Sequence, residues 1–480
     1  MYHQKQTKPR ALELTQNRNI SFPIGTVLTA QKYYELLGLS KTFGKHKTRG
    51  ISINALIPAL VSYKMTENQS VTKASAWTNR AEVLSTFGIE SFEQRTLYRT
   101  LETIGRCRFE IMADIQSAIF ERYEFEHTNI NMDWTSIILF GTKCPIAKYG
   151  YSRDHRPDKK QITMGVSELS TPINIPIGMT VREGNINDQV HFTDTFNQVK
   201  DRLRAGSIVV MDQGANRKQN LDLIESCKLN YVTLRQLNTS DDETWIKGFD
   251  RRNAKLVDAK HGTYGFKNKF PSRVNYLFFS EDLYNDQMES KLRKADRWFK
   301  EAKLIQKSLD GNRGLPKRYR INNPLIDCKY EYQTKLGLMD EAEARKILKK
   351  ASVTGREGFF CLVSNMDLTL NEALTIYRQK DSIEKIFNSL KNEIEIRPLR
   401  VWSEHSIYGA LLIGFLAQLF ISLIRFEHET LKRVSTKFIK ISLMNLTVTI
   451  EHQKNGSNRR ILSNFNPISM VILGENRENT

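Results

Sequence analysis

Between residues 129 and 183 the hydrophobic period of the chain switches from helical to alternating, and this limits its possible folds more than any other feature. INMDWTSIILFG, ITMGVSEL and NIPIGMTVREG are rich in Ile, Val and Thr and read as three successive strands. A helical pattern follows over about Asp188–Leu203. SIVVMDQG is then a short apolar run ending in an acid, followed by a helix from about Arg217 to Cys227 and a strand, YVTLRQL. An antiparallel meander followed by βαβ predicts an α/β domain with a mixed sheet.

Residues 1–128 read as mostly helical. In GIESFEQRTLYRTLETIGR, Ser91 and Gln94 have capping-box spacing, and Leu97, Leu101 and Ile104 repeat at helical intervals. Arg95, Tyr98 and Arg99 fall on other faces. The helix is either the second of a helix-turn-helix meeting DNA through those residues, or a bundle helix with a solvated basic face. From about Asn238 to Arg356 the chain is rich in Lys, Arg, Asn and Asp, with a basic amphipathic helix around Met288–Gln306, before FFCLVSNM resumes an apolar strand. The expected order is a mostly helical DNA-binding domain (1–128), a first core part (129–237) and an insertion domain (238–356), β-rich with a basic helix. A second core part with a glutamate-bearing helix (357–430) and a basic C-terminal segment (431–480) with a mobile polar tail complete it.

Lys and Arg exceed Asp and Glu for a net charge of +19, the footprint of a polyanion-binding protein; ribosomes and anionic membranes remain alternative partners on charge alone. Cys107, Cys144, Cys227, Cys328 and Cys361 are scattered without a CxxC pair, as expected for free thiols in a reducing cytosol. The N-terminus has no apolar signal-peptide core. Ser406–Ile424 carries no charge and approaches spanning length, but Ser406, Gln418 and Ser422 interrupt it, which predicts a buried core helix rather than a membrane anchor.

Three acids stand out. Asp133 lies inside the first strand, where a lone carboxylate costs several kcal/mol unless paired or metal-bound. Asp212 ends SIVVMDQG, at the carboxyl end of a strand, where α/β sheets place ligands. Glu384 lies in YRQKDSIEKIFNSLK (377–391). There, positions seven apart nearly superimpose on a helix, so Tyr377, Glu384 and Lys391 form one polar column with Lys380 beside it. Ile383, Phe387, Leu390 and Ile394 form a separate apolar stripe. Hard carboxylate oxygens suit Mg²⁺ or Mn²⁺, and two such ions about 3.5–4 Å apart would serve an in-line displacement at phosphorus. Singly, each Asp has an ordinary reading as a turn or cap residue. Together, an acid in the first strand, one after a later strand and one on a following helix have the layout of an RNase H-like nuclease fold.

Here the chain resembles a DDE insertion-sequence transposase of the branch whose glutamate helix carries Tyr-x2-Arg-x3-Glu-x6-Lys. Tyr377, Lys380, Glu384 and Lys391 occupy those places, with Lys380 where the family has arginine. Either the neighbouring Arg378 supplies a bidentate phosphate contact or the position needs only a cation. YGYSRDHRPDKKQI and REGNINDQVHF are also similar to the family, and the resemblance covers about residues 125–240 and 355–430. It implies an RNase H-like core, a mixed five-stranded sheet with flanking helices, and a metal triad of Asp133, Asp212 and Glu384 holding two Mg²⁺ or Mn²⁺ ions.

The resemblance also implies phosphate contacts from Tyr377 and Lys391. Arg153 and Arg156 flank His155 in SRDHRPD, which reads as a DNA-facing loop in preference to a base or metal ligand. Asn185 and Asp188 read as turn residues. Trp245 and Trp298 fit ordinary packing better than stacking on a flipped base. The implied protein is a prokaryotic, cytoplasmic and nucleoid-associated transposase. It would bind double-stranded DNA at terminal inverted repeats and at the target, act as a homodimer in a synaptic complex, and have no membrane partner. The alternatives are an endonuclease of the same fold without strand transfer, and a non-enzymatic domesticated DNA-binding protein.

Overall fold

The computed structural model describes residues 21–66, 70–141, 143–252, 254–311, 322–327, 333–452 and 458–474. The chain forms two compact units, Met1–Leu229 with Gln379–Thr480, and Asn230–Arg378.

In the first unit, helices occupy most of the chain from Gly25 to Arg122. One of them, α1 (Gln94–Arg106), buries Leu97, Leu101 and Ile104. The expected capping box at its start is not formed: Glu93 is the N-cap and makes no side-chain cap bond. Asn79 fixes the entry to the helix instead. Its amide accepts from the Phe92 N–H (2.8 Å) and donates to the Phe92 carbonyl (3.0 Å), while the Gln94 side chain turns away to Thr72 (2.8 Å).

Strands β1 (Ile130–Ile138), β2 (Gln161–Leu169) and β3 (Ile175–Glu183) form the antiparallel meander, and β4 (Ile208–Met211) runs parallel to β1 on its other side. The order β3-β2-β1-β4 makes a mixed sheet. All nine residues of β2 are buried, which accounts for the apolar and small residues of its ITMGVS stretch. Helix α2 (Asp188–Val199) is capped by Asn187, which accepts from the Val190 N–H (3.1 Å), and buries His191, Phe192 and Phe196. The Trp134 indole donates to Thr195 on this helix (3.1 Å). Gly165 is required beneath that ring, since a Cβ there would lie 2.8 Å from the indole nitrogen. Helix α3 (Lys218–Ser226) follows β4.

The second unit contains the antiparallel strands β5 (Asn230–Arg235), β6 (Lys255–Asp258), β7 (Thr263–Phe270), β8 (Arg273–Ser280) and β9 (Phe359–Ser364), in the order β5-β9-β8-β7-β6. YVTLRQL and FFCLVSNM thus pair with each other, Cys361 opposite Arg235. The basic helix is longer than its apolar spacing suggests. It runs from Glu281 to Asp310, begins at a Ser280 cap, and packs Ala295, Phe299, Ala302 and Ile305 on Ala344 and Leu348. Trp245 packs on Phe249 and Phe359, and Trp298 packs against the Phe299 cluster. The unit ends in α4 (Leu370–Arg378).

The chain re-enters the first unit through α5 (Asp381–Asn388), a π-helical turn at Ser389–Glu393, and α6 (Glu404–Glu427). The single helix expected over Tyr377–Lys391 is therefore two helices broken at Gln379–Lys380. The Ser382 N–H bonds to the Gln379 carbonyl and the Ile383 N–H to the Lys380 carbonyl (both 3.1 Å), a tight i−3 pattern. The Asn131 side chain also donates to the Gln379 carbonyl (3.2 Å), so a tertiary bond competes with the helical one.

Helix α6 is long and apolar enough to cross a membrane, yet 94% of its most apolar window is buried in protein, as a core helix requires. It crosses α1 where glycine removes the side chain from both helices. A Cβ at Gly105 would meet the His405 carbonyl, and one at Gly409 the Leu101 carbonyl. Each Leu, Ile or Phe buried along α6 contributes roughly 1.5–3 kcal/mol relative to exposure. Beyond it lie a helix (Thr436–Asn445), a hairpin and a short helix (Pro467–Leu473). The polar tail after residue 474 and Cys328 lie outside the described residues. Cys107, Cys144, Cys227 and Cys361 are free thiols.

Candidate active site

Asp133 stands in the middle of β1, Asp212 directly after β4, and Glu384 in the first turn of α5. Because β1 and β4 are adjacent and parallel, the two strand-borne acids fall on the same side of the sheet end. The three carboxylates converge on one atom, the Lys380 ammonium. It lies 3.4 Å from Asp133 Oδ2, 3.4 Å from Asp212 Oδ2 and 3.7 Å from Glu384 Oε1. The side chain of Lys380 is 4% exposed, against 16% for Asp133, 44% for Asp212 and 64% for Glu384, so the site is open on the glutamate side and closed around the lysine.

The electrostatics follow from this packing. Burial lifts the Asp133 carboxyl above the ordinary aspartate range, with Lys380 opposing and Asp212 reinforcing the shift. Burial also works against the charge on Lys380, but the three carboxylates together outweigh it and raise its pKa. One ammonium among three acids leaves the cluster negative and short of positive charge.

The donor set suits a hard divalent cation, being carboxylate oxygens that already share a single positive centre. Among the described residues no group of three or more His, Cys, Asp or Glu is arranged to hold a metal ion as the side chains stand. The Lys380 ammonium holds the middle of the cluster of Asp133, Asp212 and Glu384.

The other expected site residues are distributed as follows. Lys391, in the π-helical turn, is mostly buried and pairs with Asp154 (3.1 Å), which also binds Arg397 (2.9 Å). Burial lowers the Lys391 pKa, against the pull of Asp154. In the SRDHRPD loop, the Arg153 N–H donates to Ser136 (2.8 Å) and its guanidinium grips Asp188 (2.6 and 2.5 Å), so Asp188 is a structural anchor. His155 is exposed with φ 54°, and exposed Arg156 pairs with Asp158 (2.8 Å). Arg95 and Arg99 are exposed on α1. Tyr377 and Arg378 belong to α4 in the second unit, where Arg378 pairs with Asp258 (2.5 Å). Sequence reasoning missed the paired state of Lys380 and Lys391. It also passed over Tyr149 and Tyr151, exposed aromatics beside the Arg153 turn.

Residues 125–420 match the family described as Transposase DDE domain, and the chain belongs to that family. Its members generally work with divalent metal ions. No curated protein matches the sequence. A chain from the cryo-EM structure of the piggyBac transposase synaptic complex with hairpin DNA is similar over 89% of this chain and 80% of its own. The identity is 11% and the TM-score 0.42, a level that carries no argument about fold or chemistry.

Proposed function

We propose that the chain is a cut-and-paste DNA transposase of the Tyr-Arg-Glu-Lys insertion-sequence branch with an RNase H-like core. The observation that carries this reading is the convergence of Asp133, Asp212 and Glu384 on a single cation inside the matched domain. The β3-β2-β1-β4 order, with the first acid in β1 and the second after β4, supports the core assignment.

The protein would bind the terminal inverted repeats of its mobile element as a homodimer and cut the end phosphodiester. A water oxygen attacks phosphorus, the bond to the 3′ oxygen breaks, and a 3′-OH is released. That hydroxyl then attacks a target phosphodiester and displaces another 3′ oxygen, so one bond replaces another without ATP or a covalent protein–DNA link. Two Mg²⁺ or Mn²⁺ ions held by Asp133, Asp212 and Glu384 would supply activation of the attacking oxygen and charge neutralisation on the leaving one. Asp133, the most enclosed acid, fixes the inner edge of the site, and the more open Glu384 faces the incoming DNA. Lys380 balances the acids until they are otherwise neutralised, and its freed ammonium then suits a phosphate oxygen. Tyr377, Arg378 and Lys391 are assigned to the transposon end, and Arg95, Arg99, Arg153 and Arg156 to flanking backbone. The setting is a prokaryotic cytoplasm, at the nucleoid when DNA is bound.

The test uses D133A, D212A and E384A with end DNA. Each variant is expected to abolish cleavage in Mg²⁺ while leaving end binding largely intact; near-normal cleavage by any one removes it from the triad. A pre-cleaved end with a free 3′-OH should give joined product with the unaltered protein. Nicking without joining would mark an endonuclease.

A further inference from the structure

Beside the three acids lies a fourth carboxyl that takes no part in the chemistry just described. Glu168 in β2 is fully buried and sits opposite Asn131 of β1, two residues before Asp133. Among the described residues it makes no ion pair. Its Oε2 lies 2.6 Å from the Ser382 hydroxyl and 3.3 Å from the Asn131 amide nitrogen. Ser382 in turn reaches the Gln379 carbonyl (2.8 Å), and the Asn131 amide lies 3.2 Å from that carbonyl and 3.1 Å from the Ser382 hydroxyl. These four residues join the strand of Asp133 to the turn of Lys380 and the first turn of the Glu384 helix.

We propose that Glu168 is a positioning residue of the acid site: through Ser382 and Asn131 it clamps the Gln379–Lys380 break and the start of α5 onto β1. This rests on the functional reading above.

The proton count supports it. The Ser382 hydroxyl has one proton and two acceptors, Glu168 Oε2 and the Gln379 carbonyl. If Glu168 is a neutral acid, its O–H donates to Ser382, Ser382 donates to Gln379, and each short contact has its proton. If Glu168 is ionised, Ser382 must choose, and the carboxylate is buried without a cation. Burial raises the Glu168 pKa to about 8, opposed by Ser382, Asn131 and the charge of Lys385, which is itself paired with Asp381 (2.5 Å). The remaining neighbours on β1 and β3, Asn131 and Pro176, are uncharged. Neutral Glu168 thus completes the clamp at physiological pH.

Hydrogen exchange of the metal-free protein and cleavage of end DNA test the role together. E168A is expected to lower protection of amides 379–388 about tenfold or more, with the rest of the first unit unchanged. It should lower kcat for end cleavage by about 10- to 100-fold with KM for DNA nearly constant, as a displaced catalytic group does. E168Q, neutral and still able to donate to Ser382, should restore both, and its protection should hold as pH passes about 8, where that of the unaltered protein falls. S382A provides the same exchange test should E168A fail to fold. Unaltered protection and kcat in E168A, or E168Q as damaged as E168A, overturns the proposal. D133A separates the two readings: if it cleaves normally while the exchange results hold, the functional reading falls and the clamp stands. If D133A is dead and E168A is normal in both assays, the clamp falls.

Discussion

Replacing Lys380 with methionine keeps the bulk of its side chain and removes the charge on which the three acids converge. At an effective dielectric constant of about 20, each contact near 3.4 Å is worth roughly 5 kcal/mol before desolvation. That gross figure shrinks on both sides. Burying the ammonium costs several kcal/mol, and the contacts to Asp212 and Glu384 are discounted because those acids face water. Breaking a buried pair by removing one partner costs about 3–5 kcal/mol, and only Asp133 is enclosed enough to bear such a cost. K380M is therefore expected to lose about 2–3 kcal/mol in urea unfolding with a chelator present. Saturating Mg²⁺ should narrow the gap, since an ion binding only the folded state stabilises it by mass action and replaces the missing charge. K380R, which keeps a cation, should stay within about 1 kcal/mol of the unaltered protein if position rather than ammonium chemistry matters. K380M as stable as the unaltered protein in chelator, or a deficit that Mg²⁺ leaves untouched, would refute the idea that this lysine substitutes for a metal.

Lys391 and Asp154 give a second test, by fluorescence anisotropy of end DNA across a salt series. K391A should weaken binding and reduce the salt slope by about 0.9, whereas D154N, which removes the carboxylate charge paired with Lys391 and Arg397, should tighten binding severalfold; parallel slopes for both count against phosphate contact. At the crossing of α1 and α6, G105V should cost about 3 kcal/mol or more, read as a lowered melting temperature, because its Cβ meets the His405 carbonyl. A loss below about 1 kcal/mol would mean the helices part easily. For Glu168 the folded pKa, about 8, lies above the ordinary 4.5, so the folded protein holds the proton more tightly. Its contribution to stability is complete below about pH 4.5 and is lost as pH rises through about 8. E168Q lacks this dependence, so its stability relative to the unaltered protein should climb by a few kcal/mol across that window; parallel pH profiles would show Glu168 ionised throughout.

The strands around Asp133 and Asp212 were legible because their runs are apolar, rich in β-branched residues and bounded by turn residues. Helix α6 was legible for a similar reason, its uncharged run being interrupted only by residues a core can satisfy. The break at Gln379–Lys380 was not, since nothing in YRQKDSIEKIFNSLK opposes a continuous helix locally. It comes from a tertiary bond, the Asn131 amide on the Gln379 carbonyl, whose partners are 248 positions apart. The paired states of Lys380 and Lys391 were hidden likewise: basic residues beside an acid on a helix read as a solvent-facing phosphate site, and only the fold shows that both point inward to carboxylates. Glu168 passed unnoticed because an acid near a strand end has an ordinary surface reading, which its complete burial contradicts.

The first unit is closed by a segment that begins at Gln379, after the whole of the second unit has been made. During synthesis, Asp133 and Asp212 therefore leave the ribosome long before Lys380 and Glu384 exist. At about 5–20 residues per second, the interval is on the order of ten seconds or more. Over that time the nascent chain holds two adjacent acids, one of them in a strand core, with neither their counter-cation nor their third partner. A chain terminated anywhere before residue 379 lacks all of α5 and α6 and has no complete acid site. The order of the chain thus makes assembly of the acid cluster a late event, possible only once the segment that carries Lys380 and Glu384 has been made.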